Sequence, residues 1–252
     1  MNRTLMIFTH YLRRALMDPV GMLCLFALPL MIIFINSVIL VPAESMETMI
    51  DGYNLIASGA AAVMLAMFQL MGGAWIADWI FDDFRGDRRW RLFSAPISRN
   101  SIIFPAAAAS WVFTMLQGIF IVIVSALLFN VYWGNLWVLA AVIVIMATMS
   151  QLMYILISLF VSKKRTAEAI PMVLTFAMTI MGGFMFGMGD NAVFRFLTRI
   201  QTPIVAAQHA ILNSGFIFGN DMSRTWRSLI ILTSTLAVLF VATAIAGRRR
   251  KI

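Results

Sequence analysis

The stretch NSIIFPAAAASWVFTMLQGIFIVIVSALLFNVYWGNLWVLAAVIVIMATMSQLMYILISLFVS, residues 100–162, contains no Asp, Glu, Lys or Arg. A helix needs ~20 mostly apolar residues to cross the hydrocarbon core of a bilayer. The stretch is too long for one crossing and is interrupted once, at Asn130–Asn135, where Asn, Gly and interfacial aromatics mark a surface turn. It therefore reads as two membrane spans joined by a tight turn.

The rest of the chain agrees. Of its 252 residues, 62% are hydrophobic and 12% charged, against about 25% charged in a soluble domain. Working outward, apolar runs predict six spans at about 20–41, 53–78, 101–130, 137–162, 169–188 and 227–247. These runs are continuous rather than ~10-residue alternating strands, which disfavours a barrel. The expected fold is all-α: one transmembrane domain over residues 1–252, embedded in the lipid bilayer. Residues 1–18 read as an amphipathic interface helix with Leu5, Phe8 and Leu12 on one face and Arg13 and Arg14 off it. Asp18-Pro19 ends it. The three arginines, His and Asp that precede the first apolar run are not the pattern of a secretory leader.

Charge sets the expected orientation. With both termini on one side, that side carries 15 of the 19 Lys and Arg residues, and the other has only Arg195, Arg199, Arg224 and Arg227. The positive-inside rule puts both termini in the cytoplasm. The net charge of +8 is thus mostly a topology and headgroup-anchoring signal. Nucleic-acid binding is excluded for lack of a soluble domain to read a groove.

Catalytic and metal motifs are missing. His10 and His209 fall on opposite sides of the membrane, Cys24 is the single cysteine, and no GxxxxGK[ST] occurs. No metal site and no cofactor is expected in this chain. The spans hold neutral amides, among them Asn36, Gln69, Gln117 and Gln151, but no charge at mid-depth. That counts against an ion-coupled carrier. The amides either line a path for an amphiphilic substrate, with Asn36, Gln69 and Gln117 as candidates, or hydrogen-bond between helices; the second reading is favoured.

On the outer side, Thr202-Pro203 reads as an N-cap followed by Pro at the first helical position. The helix it opens would be the second arm of a re-entrant hairpin before the last span. On the inner side, WIFDDFRGDRRWRLFSAPISRN, residues 79–100, gathers five arginines, three aspartates and five large aromatics. Lipid anchoring needs only the arginines. Interleaved acids with an aromatic stripe suit a protein partner better. The stretch reads as a coupling helix lying along the cytoplasmic surface.

At these residues the chain resembles the permease subunits of type-2 ATP-binding-cassette (ABC) exporters. In that family an acidic/basic stretch with a glycine leaves the second span and a Pro-x-Ser-Arg element enters the third; here DDFRGD (Asp82–Asp87) and APISR (Ala95–Arg99) stand in those places. The interface helix, the six spans and the Thr-Pro hairpin match as well. Three features depart: Gly86-Asp87 replaces a common Gly-Thr, Gly86 and Pro96 are one residue further apart, and a lysine after the Ser-Arg element is absent. The resemblance implies a non-enzymatic transport subunit in a bacterial cell (inner) membrane. ATP and Mg would be held by a separate ABC ATPase, and a second permease chain, the same or homologous, would complete a dimer. Asp82, Asp83, Phe84, Arg85, Gly86, Asp87, Arg88, Arg89, Trp90, Arg91 and Pro96, with the interface helix, would form the docking and coupling surface, and Thr202 and Pro203 would cap an outward path for an amphiphilic substrate. The alternative is a non-transporting scaffold or sensor partner that binds a cytoplasmic regulator through the same surface.

Overall fold

The computed structural model describes residues 3–39, 49–86, 89–90, 100–182 and 201–249. Within them the chain is almost wholly helical. The one sheet among them is a two-strand hairpin, β1 (Met49–Ile50) and β2 (Tyr53–Asn54), closed by Asp51 and Gly52, both at positive φ. Two left-handed residues are what a tight two-residue hairpin turn requires.

The amphipathic helix α1 covers Arg3–Leu16. Its buried line is Tyr11 and Ala15, with Ile7, Phe8 and Leu12 half-buried beside it; Leu5 and Leu16 are exposed. The inward face is therefore turned toward Tyr11 from the Leu5–Leu16 line that the sequence favours, because α1 packs on the third apolar helix. Asp18 then caps the next helix, its Oδ1 accepting from the Val20 and Gly21 amides, with Pro19 at the first helical position.

Among the described residues, five helices are long and apolar enough to cross a membrane: α2 (Pro19–Ser37), α3 (Leu55–Arg85), α4 (Ser101–Phe129), α5 (Leu136–Phe160) and α8 (Met222–Arg249). Between the last two lie α6 (Lys164–Met181) and α7 (Pro203–Asn213). Helix α6 is not among the five because its described residues open with Lys164, Arg165 and Glu168; the rest of the expected fifth span, and the first arm of the expected outer hairpin, lie outside the described residues.

Helix α3 is the axis of the fold. It packs against α2, α4, α5, α6 and α7, and 83% of its most apolar window is buried, against 17% for α2 and 11% for α8. Its sequence explains this. Ala57, Ala60, Ala61, Ala62 and Ala66 leave little side chain between backbones, and small residues permit close helix approach where lipid supplies no hydrophobic drive. Helix α3 is also broken: Leu55–Met71 and Ala74–Trp79 are α-helical, Gly72-Gly73 lies between them, and Ile80–Arg85 is a π turn.

At the end of the bundle away from the termini, one tyrosine joins three elements. The Tyr132 amide donates to Ser58 Oγ at the start of α3, and the Tyr132 hydroxyl accepts from the Phe216 amide just past α7. Its ring stands edge-on to both Tyr53 and Phe216. Ser214 Oγ accepts from the Asn135 amide and donates to the Ile211 carbonyl. The α4–α5 turn, α7 and the outer end of α3 are thereby one block.

Candidate functional site

Two polar constellations stand out in an otherwise apolar molecule. The first lies at the end of the bundle that carries α1. Asp78 and Asp82 are four residues apart on α3, one helical turn, and the π turn Ile80–Arg85 brings Asp83, five from Asp78, onto the same face. Arg14 of α1 spans all three carboxylates, at 3.1 Å from Asp83 Oδ2, 3.0 Å from Asp82 Oδ2 and 3.5 Å from Asp78 Oδ2. Tyr11, one turn earlier, donates its hydroxyl to Asp83 Oδ2 at 2.9 Å and packs its ring on Trp79. Lys164, at the start of α6, pairs with Asp82 Oδ1 at 2.8 Å and also with Asp78. Desolvation pulls the Lys164 pKa down, but its hydrogen bonds to Asp78 and Asp82 and their charges outweigh that and raise it above the usual 10.5. A planar guanidinium can serve several carboxylates in a fixed geometry, which a lysine at position 14 could not do.

Of the aspartates that the sequence reads as part of a docking surface, Asp83 is thus turned inward and Asp82, half-buried, is paired with α1 and α6. Asp83 is only 7% exposed and Phe84 is buried. Arg85 donates to the Val161 carbonyl at 2.7 Å, closing the end of α5, and lies over the Phe81 ring. Gly86 ends α3 in an extended conformation, and a Cβ there would fall 2.7 Å from the Asp82 carbonyl oxygen; only glycine lets the chain leave so close to its own helix. Of the residues described just beyond it, Arg89 stacks on Trp90, and both are exposed, Trp90 at 69%. Arg13 of α1 is exposed as well. Asp87, Arg88, Arg91 and Pro96 lie outside the described residues.

The second constellation is a knot of neutral amides beside the break in α3. Gln117 of α4 donates to two carbonyls, Leu25 of α2 at 3.0 Å and Phe68 of α3 at 3.3 Å. The Leu25 carbonyl is available because Pro29, four residues on, has no N–H to give it. Gln69 donates to the Thr114 carbonyl at 2.9 Å and Gln151 to the Thr114 hydroxyl at 3.3 Å. Gln69 and Gln117 have no exposed surface, so they act here as bonds between helices. Asn36 bonds the Ile32 carbonyl of its own helix and is not part of the knot. Among the described residues the acceptor oxygens of Gln69, Gln117 and Gln151 find no donor, and a buried acceptor left unpaired costs about 1–3 kcal/mol.

On the far side, Thr202 caps α7, accepting from the Val205 amide at 3.4 Å and donating to the Met178 carbonyl of α6, with Pro203 at the first helical position. Helix α7 buries Ile204, Ala206, Ala207, Ala210 and Ile211 against α3, α5 and α8. His209 on the same helix is exposed.

Tyr11, Asp78, Lys164 and Ser150 (which bonds across the break in α3) were not singled out by the sequence as site residues. The signal for Asp78 was present, since Asp78 and Asp82 are spaced to share a helix face. Nothing local marks Lys164 as their partner, 82 positions beyond Asp82.

Apolar helices of this length around an alanine-rich axis, with a charge network at the end that carries α1, define a multi-pass membrane protein. Residues 26–245 match the family described as ABC-2 family transporter protein, and the chain belongs to that family. Its members are membrane subunits of ABC transporters, partnered by a separate ABC ATPase subunit. A search of curated proteins finds no match.

Proposed function

We propose that this chain is the permease of an exporter, carrying an amphiphilic cargo such as a peptide antibiotic, a drug or a lipid outward through a bacterial inner membrane. ATP, with Mg, is hydrolysed on the separate ATPase. Helix α6, continued to about residue 188, supplies a sixth span, both termini are cytoplasmic, and two permease chains form the working dimer. The surface that the ATPase grips comprises α1 and the 82–99 segment, and the outer helix α7 caps the path.

The observation that carries this reading is the Arg14–Asp78–Asp82–Asp83–Lys164 network. It ties α1 and α6 to the cytoplasmic end of the most buried helix, directly beside the exposed Arg89–Trp90 pair. Tryptophan and arginine are among the residue types enriched at interface anchors. Force applied to α1 reaches the axis of the bundle through Arg14, which grips three carboxylates of α3.

The test is co-expression with the cognate Walker-motif ATPase and reconstitution in liposomes. The permease alone should show no ATPase activity. Reversing Arg88, Arg89 and Arg91 together to Glu should release the ATPase and abolish ATP-driven export while the permease remains folded. Normal export by that variant would sink the docking surface, and an ATPase that binds but drives no export would favour the scaffold reading.

A further inference from the structure

The break in α3 is bridged by a side chain from another helix. Gly73 donates its amide to Ser150 Oγ of α5 at 2.7 Å, and the same hydroxyl donates to the Leu70 carbonyl at 2.6 Å. A hydroxyl inserted into the i→i−4 ladder is one of the few causes of a sharp helix bend. Gly73 makes room for it, and Gly72 makes room for Thr114 of α4. A Cβ on Gly73 would lie 2.7 Å from the Ser150 carbonyl oxygen, and one on Gly72 would lie 2.5 Å from Thr114 Cγ2.

Both halves of α3 pack on α4, α5 and α6, but their hydrogen bonds and ion pairs go to different partners. Leu55–Met71 is held at its outer end by the Tyr132 block and at its inner end by Gln69 and Gln117. Ala74–Arg85 carries Asp78, Asp82 and Asp83, held by α1 and α6. Between them lies the break, flanked by the unpaired acceptors of Gln69 and Gln151. Unpaired acceptors next to an interrupted ladder mark an arrangement in which these helices are not fully satisfied.

We propose that Gly72-Gly73 is a hinge in the central span and that Ser150 is the positioning residue that latches it. With the latch made, the charged half of α3 stands as described. With it released, that half swings with α1 and α6 while the alanine-rich half stays fixed. The purpose of the swing rests on the transporter reading; the hinge is a property of this chain alone.

The experiment therefore uses the purified full chain in nanodiscs, with no ATPase and no nucleotide, and reads amide hydrogen exchange. In the wild type, amides 73–79 should exchange at least ~10-fold faster than amides 60–69. Ser150→Ala should speed exchange of 70–79 by a further factor of roughly ten and leave 203–213 unchanged, and Ser150→Thr, which keeps the hydroxyl, should restore it. Spin labels at Ile56 and Trp90 in a Cys24→Ser background give a second readout. Their distance distribution should broaden in Ser150→Ala and narrow again in Ser150→Thr. Uniform protection from 60 to 79 in the wild type, or acceleration spread evenly along the Ser150→Ala chain, overturns the hinge. If the ATPase fails to bind but local exchange behaves as stated, the hinge stands and the transporter reading falls.

Discussion

Arg14 is the residue on which the charged end turns. It serves three carboxylates, one of them nearly buried, so its loss leaves charge uncompensated rather than merely removing a surface pair. Arg14→Ala should cost about 2 kcal/mol and lower the melting temperature by roughly 4–8 °C for a chain of this size. Tyr11→Phe, which removes one hydrogen bond to Asp83, should cost less. Lys164 adds a pH dependence whose sign is fixed. Its folded pKa is raised, so its contribution is complete below 10.5 and is lost as pH rises through the higher folded value. Lys164→Met should therefore lower the melting temperature equally at pH 7 and pH 9, and its gap to wild type should close above pH 10.5. A gap that closes between pH 7 and 9 would contradict the pairing with Asp78 and Asp82. The concentration of charge at residues 79–100 was legible in the sequence because charge is scarce elsewhere. Its direction was not, since whether Asp83 meets a partner protein or Tyr11 depends on how α1 docks, which no local pattern encodes.

Spans are legible because lipid imposes a length and a polarity on each one, and the turn at Asn130–Asn135 is legible because Gly134 must take positive φ. Contacts between spans are less so. The amides left two readings open, and only the packing of α3 on α4 shows Gln69 spent on the Thr114 carbonyl, in space that Gly118 leaves free. Gly118→Ala would drive a methyl group into the Gln69 amide and should destabilise by about 1–3 kcal/mol. Gln69→Ser should recover most of that loss in the double variant, and a purely additive cycle in thermal denaturation would refute the contact. In the outer block, Gly134 combines positive φ with close approach to the Ile211 carbonyl. Gly134→Ala should cost about 1–2 kcal/mol and loosen α7 before any other helix, as limited proteolysis near residues 214–220 would reveal. Undisturbed proteolysis there would mean that the turn and α7 are not coupled.

Across the whole molecule, the arginine distribution argues a topology that the helices alone do not give. Reporter fusions after residue 249 and before residue 3 should both read cytoplasmic, and a fusion in the 214–220 turn should read external. A split result for the two termini would remove the sixth span. The all-α membrane class follows from composition and from the continuity of the apolar runs. The identity of the innermost helix does not, because α3 is less uniformly apolar than α4 or α8 and owes its place to alanine and glycine, which hydropathy barely registers.

The central place of α3 also bears on how the chain is made. Translation delivers α3 before α4, α5, α6 and α7, four of the five helices that wrap it. Its Gly72-Gly73 break lacks Ser150 until α5 is made, two of its aspartates lack Lys164 until α6 begins, and part of its small-residue face meets lipid until α7 is complete. A nascent chain stalled earlier carries its least lipid-compatible helix unwrapped.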